Sequence, residues 1–514
     1  MGDSADPEAG RSNPVLTGPL SVLLGIIVAN LSLQPLTEPD FGWHLRMGVD
    51  LLRQGGVLPA RDPYSHTMPD WAWVEHAWLT DLTIGMLYQT AGGLGVILFF
   101  ALVTSAAWVI ACTTTSVAGP VARLIACSLS LWVALPFLGA RTQVISLLGL
   151  AVLSLIMHRW RRGEKRILWW LPPLFLLWAN LHGGFTAGLV WLGICWLGTA
   201  ILRAMLDLRP GLTTWIHEPV PSRSGRTTLL LVVGLCALVT LANPYGYRLY
   251  GEIIDSLSDQ FMLETLQEWQ PPSLATLAGR GFLFYLVGLG VGLSIWYRRI
   301  EPIQWAIWSL FLCFALRHLR NIPLFLIVSL PLFADLLSVA FADLVHRLGL
   351  RALAMKRGAL VMACALAAYV LWLGPDHLRG VCWSGVEPAA YFRSTSYPIE
   401  AIEWVQSHRQ AVGQKLYNDY GDGGFLLWWL PGEKIFIDGR MPTWRAGDRR
   451  IFYDYVMLNS FSSPALSILD RYGVDWALVR KASPMDQVFG RELNWLRVYE
   501  DRKASVYVRR PAKL

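Results

Sequence analysis

The chain has 514 residues, of which 54% are hydrophobic and only 16% charged, with a formal net charge of +7. Soluble globular proteins carry about 25% charged residues, so this composition excludes an ordinary soluble enzyme and points to lipid. Nor does the positive charge point to nucleic acid, because the basic residues fall in short runs between apolar stretches rather than in one binding patch.

Residues 1–14 (MGDSADPEAGRSNP) are polar and mildly acidic and lack the basic start of a secretory signal. They are expected to form a disordered cytoplasmic N-terminus ahead of a retained first helix. About eleven apolar stretches follow, each of a length suited to crossing roughly 30 Å of hydrocarbon as a helix. They lie near 15–33, 91–113, 121–138, 143–157, 167–180, 185–205, 228–242, 281–297, 303–316, 322–342 and 358–374. The segment 15–374 therefore reads as a transmembrane module. Lys and Arg gather at alternate junctions, in HRWRRGEKR at 158–166, in the 203–226 connection, at Arg298–Arg299 and over 347–357. The positive-inside rule puts those junctions in the cytoplasm. The N-terminus is then inside, and the long loops 35–90 and 243–280 are outside, as is the tail. The seven cysteines show no metal-binding spacing and read as small buried hydrophobes, six of them in or at the ends of spans.

The first outer loop opens with EPDFGWHLRMGVDLLRQGG, whose apolar residues recur at helical spacing before a Gly55–Gly56 stop. Asp40 and His44 are four apart and share one face of that helix. Asp40 is placed either to act as a base in a water-poor rim or to cap the helix beginning at Phe41. Pro59, Pro63 and Pro69 break the loop before a second amphipathic stretch carrying Glu75, His76, Trp78 and Asp81. Glu75 and His76 suit acid–base work, metal ligation or a solvated pair. Arg141, in GARTQ, stands on the outer side against the positive-inside trend, and so do Arg317, His318 and Arg320 in LRHLRNIP. Guanidinium forks there fit an anionic phosphate, or lipid headgroups. WANLHGGF makes a polar turn in which His182 could add a donor. Glu268 and Trp269, in LQEWQPP, could line an acceptor groove or serve only the loop.

The tail, 375–514, changes character. Strand-like runs (LYNDYGDGG, KIFIDGR, VDWALVR, NWLRVYED, ASVYVRR) alternate with helical stretches at 398–410 and 464–472, which predicts a soluble α/β domain. Asp419, Asp422 and Asp438 are expected near strand ends. GDGG is expected to lack a following helix, and no Walker, nucleophile-elbow or Rossmann motif occurs in a fitting context.

The stretches DFGWHLRMG, DPYSHT, WVEHAWL, WANLHGGF, NPYG, RHLRNIP, YNDYGDGGFLLWWLP and FIDGR carry a family resemblance over about residues 35–510. With a long outer loop opening on an acidic residue, the chain resembles the GT-C superfamily of membrane glycosyltransferases. That superfamily includes protein O-mannosyltransferases, aminoarabinose transferases and oligosaccharyltransferases. Within it the chain is similar to a broad group of bacterial membrane proteins. The resemblance implies a sugar donor carried on a polyprenyl phosphate and a glycan, lipid or protein acceptor on the extracytoplasmic face of a bacterial inner membrane. It also implies a catalytic group at Asp40, His44, Glu75 and His76, with donor-phosphate binding at Arg141, His182, Arg317, His318 and Arg320. The acceptor side is expected to hold Glu268, Trp269, Asp419 and Asp422. Adjacent acidic pairs seen in some members are missing after Asp40; Glu38 lies two residues before it. A divalent cation (Mg or Mn) is a candidate cofactor, with Asp40, His44, Glu75 and His76 as its ligands. The expected fold is thus a polytopic α-helical membrane protein, GT-C-like, with a C-terminal α/β domain. The alternatives are a surface-glycan polymerase or ligase and a transporter or flippase of lipid-linked glycans. A transporter would place its charges in mid-span and show repeated halves; here the charges gather at span ends.

Overall fold

The computed structural model describes residues 14–208, 222–296, 300–348, 376–460 and 465–510. The eleventh expected span, the N-terminal segment 1–13, Arg298–Arg299, Cys364 and most of 347–357 lie outside the described residues.

Helices run through each of the other ten expected spans. They are α1 (Pro14–Ser32), α3 (Trp78–Thr113), α4 (Pro120–Ala134), α5 (Gln143–Arg161), α6 (Leu171–Leu181), α7 (Phe185–Leu208), α8 (Arg223–Val239), α11 (Leu277–Trp296), α12 (Pro302–Arg317) and α13 (Ile322–Leu348). Among the described residues six stretches are long and apolar enough to cross a bilayer, and Leu20–Ser32 and Pro302–Arg317 are shorter apolar helices. This makes the chain a multi-pass membrane protein; a count of eleven is not established. Three helices belong to the two long loops expected outside: α2 (Phe41–Arg53), α9 (Arg248–Ser258) and α10 (Gln260–Thr265).

The 36-residue α3 is two helices joined at a kink. Gly92 sits there at φ +64°, ψ −165°, a conformation open only to glycine. The apolar part begins after the kink, as the 91–113 span requires. The segment before it belongs to the outer loop, where it carries Asp81.

The tail holds a four-stranded sheet of order β1-β4-β6-β5, with β1 Leu416–Asn418, β4 Trp476–Arg480, β5 Trp495–Glu500 and β6 Ala504–Arg509. β1 pairs with β4 in parallel and the rest are antiparallel. A separate short hairpin joins β2 (Arg445–Ala446) and β3 (Arg449–Arg450). The expected helices appear at Ile399–Ser407 and Ala465–Tyr472. Two local expectations fail. GDGG does lead into a helix, Gly423–Trp429, and KIFIDGR forms no strand beyond a single bridge from Ile435 to Ser65. That bridge explains the second failure: the β-type residues pair with the first outer loop rather than with the tail sheet.

Two apolar cores result. One fills the helical bundle. The other fills the tail and also takes in Trp43, Met47, Leu51, Tyr64, Met68 and Trp73 from the first outer loop. That loop therefore folds with the tail, although its nearest members in sequence, Trp73 and Phe392, are 319 positions apart. The cysteine expectation holds for Cys112, Cys127, Cys195 and Cys236, whereas Cys313 and Cys382 are exposed.

Candidate active site

Asp40 reaches its position through backbone contacts that only glycine allows. A Cβ on Gly42 would lie 2.0 Å from the Gly424 carbonyl oxygen, and one on Gly424 would lie 2.3 Å from that of Pro39. The start of α2 thus rests directly on the Gly423–Trp429 helix. Asp40 occupies the N-cap position of α2 but makes no side-chain cap hydrogen bond. Its carboxylate lies instead against Gly439, where a Cβ would come within 2.0 Å of Oδ1.

Asp40 lines a cavity of about 780 Å³ whose walls come from both long loops, three span junctions and the tail. His44, Glu75, His76, Arg141, His182, Arg317, His318 and Arg320 line the same cavity, with Glu268 and Trp269. Asp419 and Asp422 do not. They turn to the sheet instead: Asp422 accepts from Arg480 at 2.5 and 3.0 Å, and Asp419 accepts from the Arg480 backbone N–H at 3.1 Å. It is their neighbour Tyr420 that faces the cavity.

The wall is stitched at the ends of the helices. The Trp78 indole N–H donates to Asn180 at 3.0 Å, Asn180 donates to the Ala242 carbonyl at 3.1 Å, and Thr80 donates to the Leu181 carbonyl at 2.6 Å. His318 Nδ1 lies 2.6 Å from the Trp269 carbonyl, and the Arg320 guanidinium covers the Trp269 ring at 4.4 Å. Arg320 also donates to Glu268 at 2.8 Å. Glu268 and Trp269, expected on an acceptor wall apart from the arginines, are therefore built into the arginine cluster. Arg141 is ion-paired with Glu38. Arg317 is exposed on the wall, with no carboxylate within 4 Å among the described residues.

Protonation follows from this enclosure. Burial, reinforced by the Glu38 carboxylate and opposed by His44, lifts Asp40 from 3.8 to about 7. Glu38 is also raised by burial, against the pull of Arg141. Burial raises Glu75 well above the usual carboxylate range, with Asp81 adding to it. His76 is driven down to about 4 by burial, then by His44 and Arg320, and His182 is lowered well below the usual imidazole value by burial and His76. Both imidazoles are neutral at pH 7. His182 Nδ1 accepts from the Gly184 N–H at 3.0 Å and lies 2.7 Å from the Ser146 hydroxyl, which leaves Nε2 as the proton-bearing edge. His44 Nδ1 lies 2.6 Å from Asp81 Oδ1, which fixes its ring, and burial lowers it to about 3.

The four residues expected as metal ligands do not converge. His44 is held by Asp81, and Glu75 accepts from the Ala77 N–H at 3.0 Å. Among the described residues no group of three or more His, Cys, Asp or Glu side chains is arranged to hold a metal ion.

Sequence reasoning missed Arg440. It is 4% exposed at its side chain, donates to Asp62 at 2.9 Å and to Asp438 at 2.8 Å, and reaches the cavity wall. The rings of Trp43, Tyr64, Trp73 and Trp444 surround it with centroids 5.2–5.9 Å away. The signal was the IDGR stretch, an Asp two residues before an Arg, in an otherwise apolar segment.

The fold as a whole resembles solved enzymes. The structure of the archaeal oligosaccharyltransferase AglB from Archaeoglobus fulgidus, in complex with an inhibitory peptide and a dolichol-phosphate, matches 90% of this chain and 69% of its own. Its TM-score is 0.55 at 12% identity. The apo form of the A. fulgidus oligosaccharyltransferase matches 91% of this chain and 70% of its own, with a TM-score of 0.50 at 14% identity. The chain shares the fold of that enzyme. The expected fold is borne out in its coarser form, a mostly helical part with apolar spans and a small sheet in the C-terminal region. No protein-family model matches the chain, and no curated protein matches it in sequence.

Proposed function

We propose that this protein is an integral-membrane glycosyltransferase that moves a sugar from a polyprenyl-phosphate donor to an acceptor hydroxyl. The observation that carries the reading is the pairing, in one cavity, of a carboxylate titrating near 7 with a set of cationic and neutral-donor side chains. Asp40 takes the proton of the acceptor hydroxyl. The acceptor oxygen bonds to the anomeric carbon of the donor as the bond from that carbon to the phosphate oxygen breaks, and the polyprenyl phosphate departs with the electron pair. Arg317 and Arg320 take up the charge that develops on the phosphate, and His182 Nε2–H adds a neutral donor. Arg141 completes the cationic wall when phosphate replaces Glu38. His44, fixed by Asp81, is a positioning residue beside Asp40. No step here passes through a metal. With the basic runs in the cytoplasm, the cavity opens on the extracytoplasmic face of a bacterial inner membrane, and the described part of the tail lines it from that side as an extracytoplasmic domain.

The AglB structure, whose fold this chain shares, holds a dolichol-phosphate, which supports a polyprenyl-phosphate donor class. The test is binding of undecaprenyl phosphate to the purified chain in nanodiscs. Arg317→Ala and Arg320→Ala are each expected to weaken binding by about 10- to 100-fold, the effect of one charge-assisted contact. Unchanged affinity in both variants removes the cluster from the site.

A further inference from the structure

Charge in the active-site cavity is close to balanced. Among the described residues four guanidiniums line it, and so do five carboxyls. Three of the four guanidiniums are already engaged. Arg440 is held by Asp62 and Asp438. Arg141 is ion-paired with Glu38, and Arg320 donates to Glu268 at 2.8 Å. The other three carboxyls, Asp40, Glu75 and Glu252, hold none of these guanidiniums. Arg317 alone has no carboxylate within 4 Å among the described residues.

Both glutamates sit where giving up an arginine is costly. Glu38 is 14% exposed at its side chain. Burial pushes its carboxyl up, Arg141 is the main group opposing that, and Glu268 adds to the rise. A Glu38 displaced from Arg141 would be left among the carboxyls of Asp40 and Glu268. Arg320 is fixed twice, by Glu268 and by the Trp269 ring 4.4 Å beneath it. His318 donates its Nδ1–H to the Trp269 carbonyl at 2.6 Å, so that edge is spent as well.

An incoming phosphate therefore meets one open guanidinium, Arg317, and neutral donors such as His182 Nε2–H. That set balances a single negative charge. A second charge would lie among like charges in an enclosed site, where repulsion is strong. Otherwise it would strip Arg141 or Arg320 and leave a carboxylate without its partner. In the proposed reaction the second charge arrives only as the bond to the anomeric carbon breaks, which is when the phosphate competes with Glu38 for Arg141.

Resting on the glycosyl-transfer reading above, we propose that Glu38 and Glu268 are specificity-determining residues: by holding Arg141 and Arg320 they restrict the donor to a phosphodiester of single negative charge, a sugar on a polyprenyl monophosphate, and reject a diphosphate-linked sugar. Rejection works through the unpaired charge that the wrong ligand would create.

The test uses the full chain in nanodiscs loaded with equal amounts of undecaprenyl methyl phosphate, a phosphodiester of single charge, and undecaprenyl diphosphate, read by native mass spectrometry. The wild type is expected to retain the diester over the diphosphate by about 10-fold or more. Glu38→Gln and Glu268→Gln keep the side-chain shape and remove the charge. Each is expected to lower that ratio by about 10-fold, the worth of one charge-assisted contact. Glu268 is 44% exposed at its side chain, so its variant places little demand on folding. A wild type that prefers the diphosphate overturns the proposal, and so does a ratio unchanged in both variants. Those results leave the polyprenyl-phosphate reading standing, because both require a lipid to bind. Retention of neither lipid by the wild type instead removes that reading and this proposal with it.

Discussion

Asp40→Asn is expected to lower glycosyl transfer by about 10²- to 10⁴-fold, the range for removing a general base, while undecaprenyl phosphate binding stays within twofold. The amide is isosteric, so it keeps the close seat against Gly439 and removes only the ability to take a proton. The wild-type rate carries a second signature. Asp40 acts as a base only when ionised, and its folded-state value is about 7. Transfer should therefore rise with pH and reach half its maximum near 7, and that limb should vanish from the residual activity of the variant. Stability moves the other way. A carboxyl raised from 3.8 to about 7 favours the folded state fully below pH 4, and this contribution is lost as pH rises through 7. Asp40→Asn should accordingly melt higher than wild type at pH 8 and level with it at pH 4. Full transfer activity in the variant, measured with any donor and acceptor the wild type uses, removes Asp40 from the base role.

The outer clusters at Asp40, Glu75, Arg141, His182, Glu268 and Arg317–Arg320 could be read from the chain because polar groups at the ends of apolar spans are costly and few. Span count and charge bias then put them at one end of the bundle, and the cavity gathers them. What could not be read was pairing across long sequence separation. Nothing in GARTQ says that Arg141 meets Glu38, and nothing in LQEWQPP says that Glu268 and Trp269 hold Arg320 rather than an acceptor. Asp419 and Asp422 misled for a related reason: YNDYGDGG has the composition of a ligand loop, but its carboxylates are taken by Arg480, 58 and 61 residues further on. KIFIDGR has strand-type residues, and local propensity could not foresee that Ile435 bridges Ser65 and leaves the next turn free to bury Arg440.

Arg440→Ala should cost about 3–5 kcal/mol of stability, the penalty for stripping one partner from a buried ion cluster. Asp62 and Asp438 are 0% exposed at their side chains, and both would lose their guanidinium. Burial already pushes Asp438 up, with Arg440 opposing it. Without Arg440 the Asp438 carboxyl should rise further, so the deficit should be largest at pH 8 and shrink towards pH 4 as Asp438 takes up its proton in the folded variant. A loss of stability equal at the two pH values would mean that packing against Trp43, Tyr64, Trp73 and Trp444 matters and charge does not. The cluster also bears on the reaction. Asp62 belongs to the first outer loop and Asp438 to the tail, and the residue between Asp438 and Arg440 is Gly439, the one pressed against Asp40. Gly439→Ala separates positioning from folding: its Cβ would come within 2.0 Å of Asp40 Oδ1, and the three atoms nearest to it all belong to the Asp40 carboxylate. It should melt close to wild type yet lose transfer activity, with the pH midpoint moved from 7 because the carboxyl has been displaced from its enclosed seat. An unmoved midpoint in Gly439→Ala would detach Asp40 from the turn that Arg440 anchors and leave Arg440 a purely structural group.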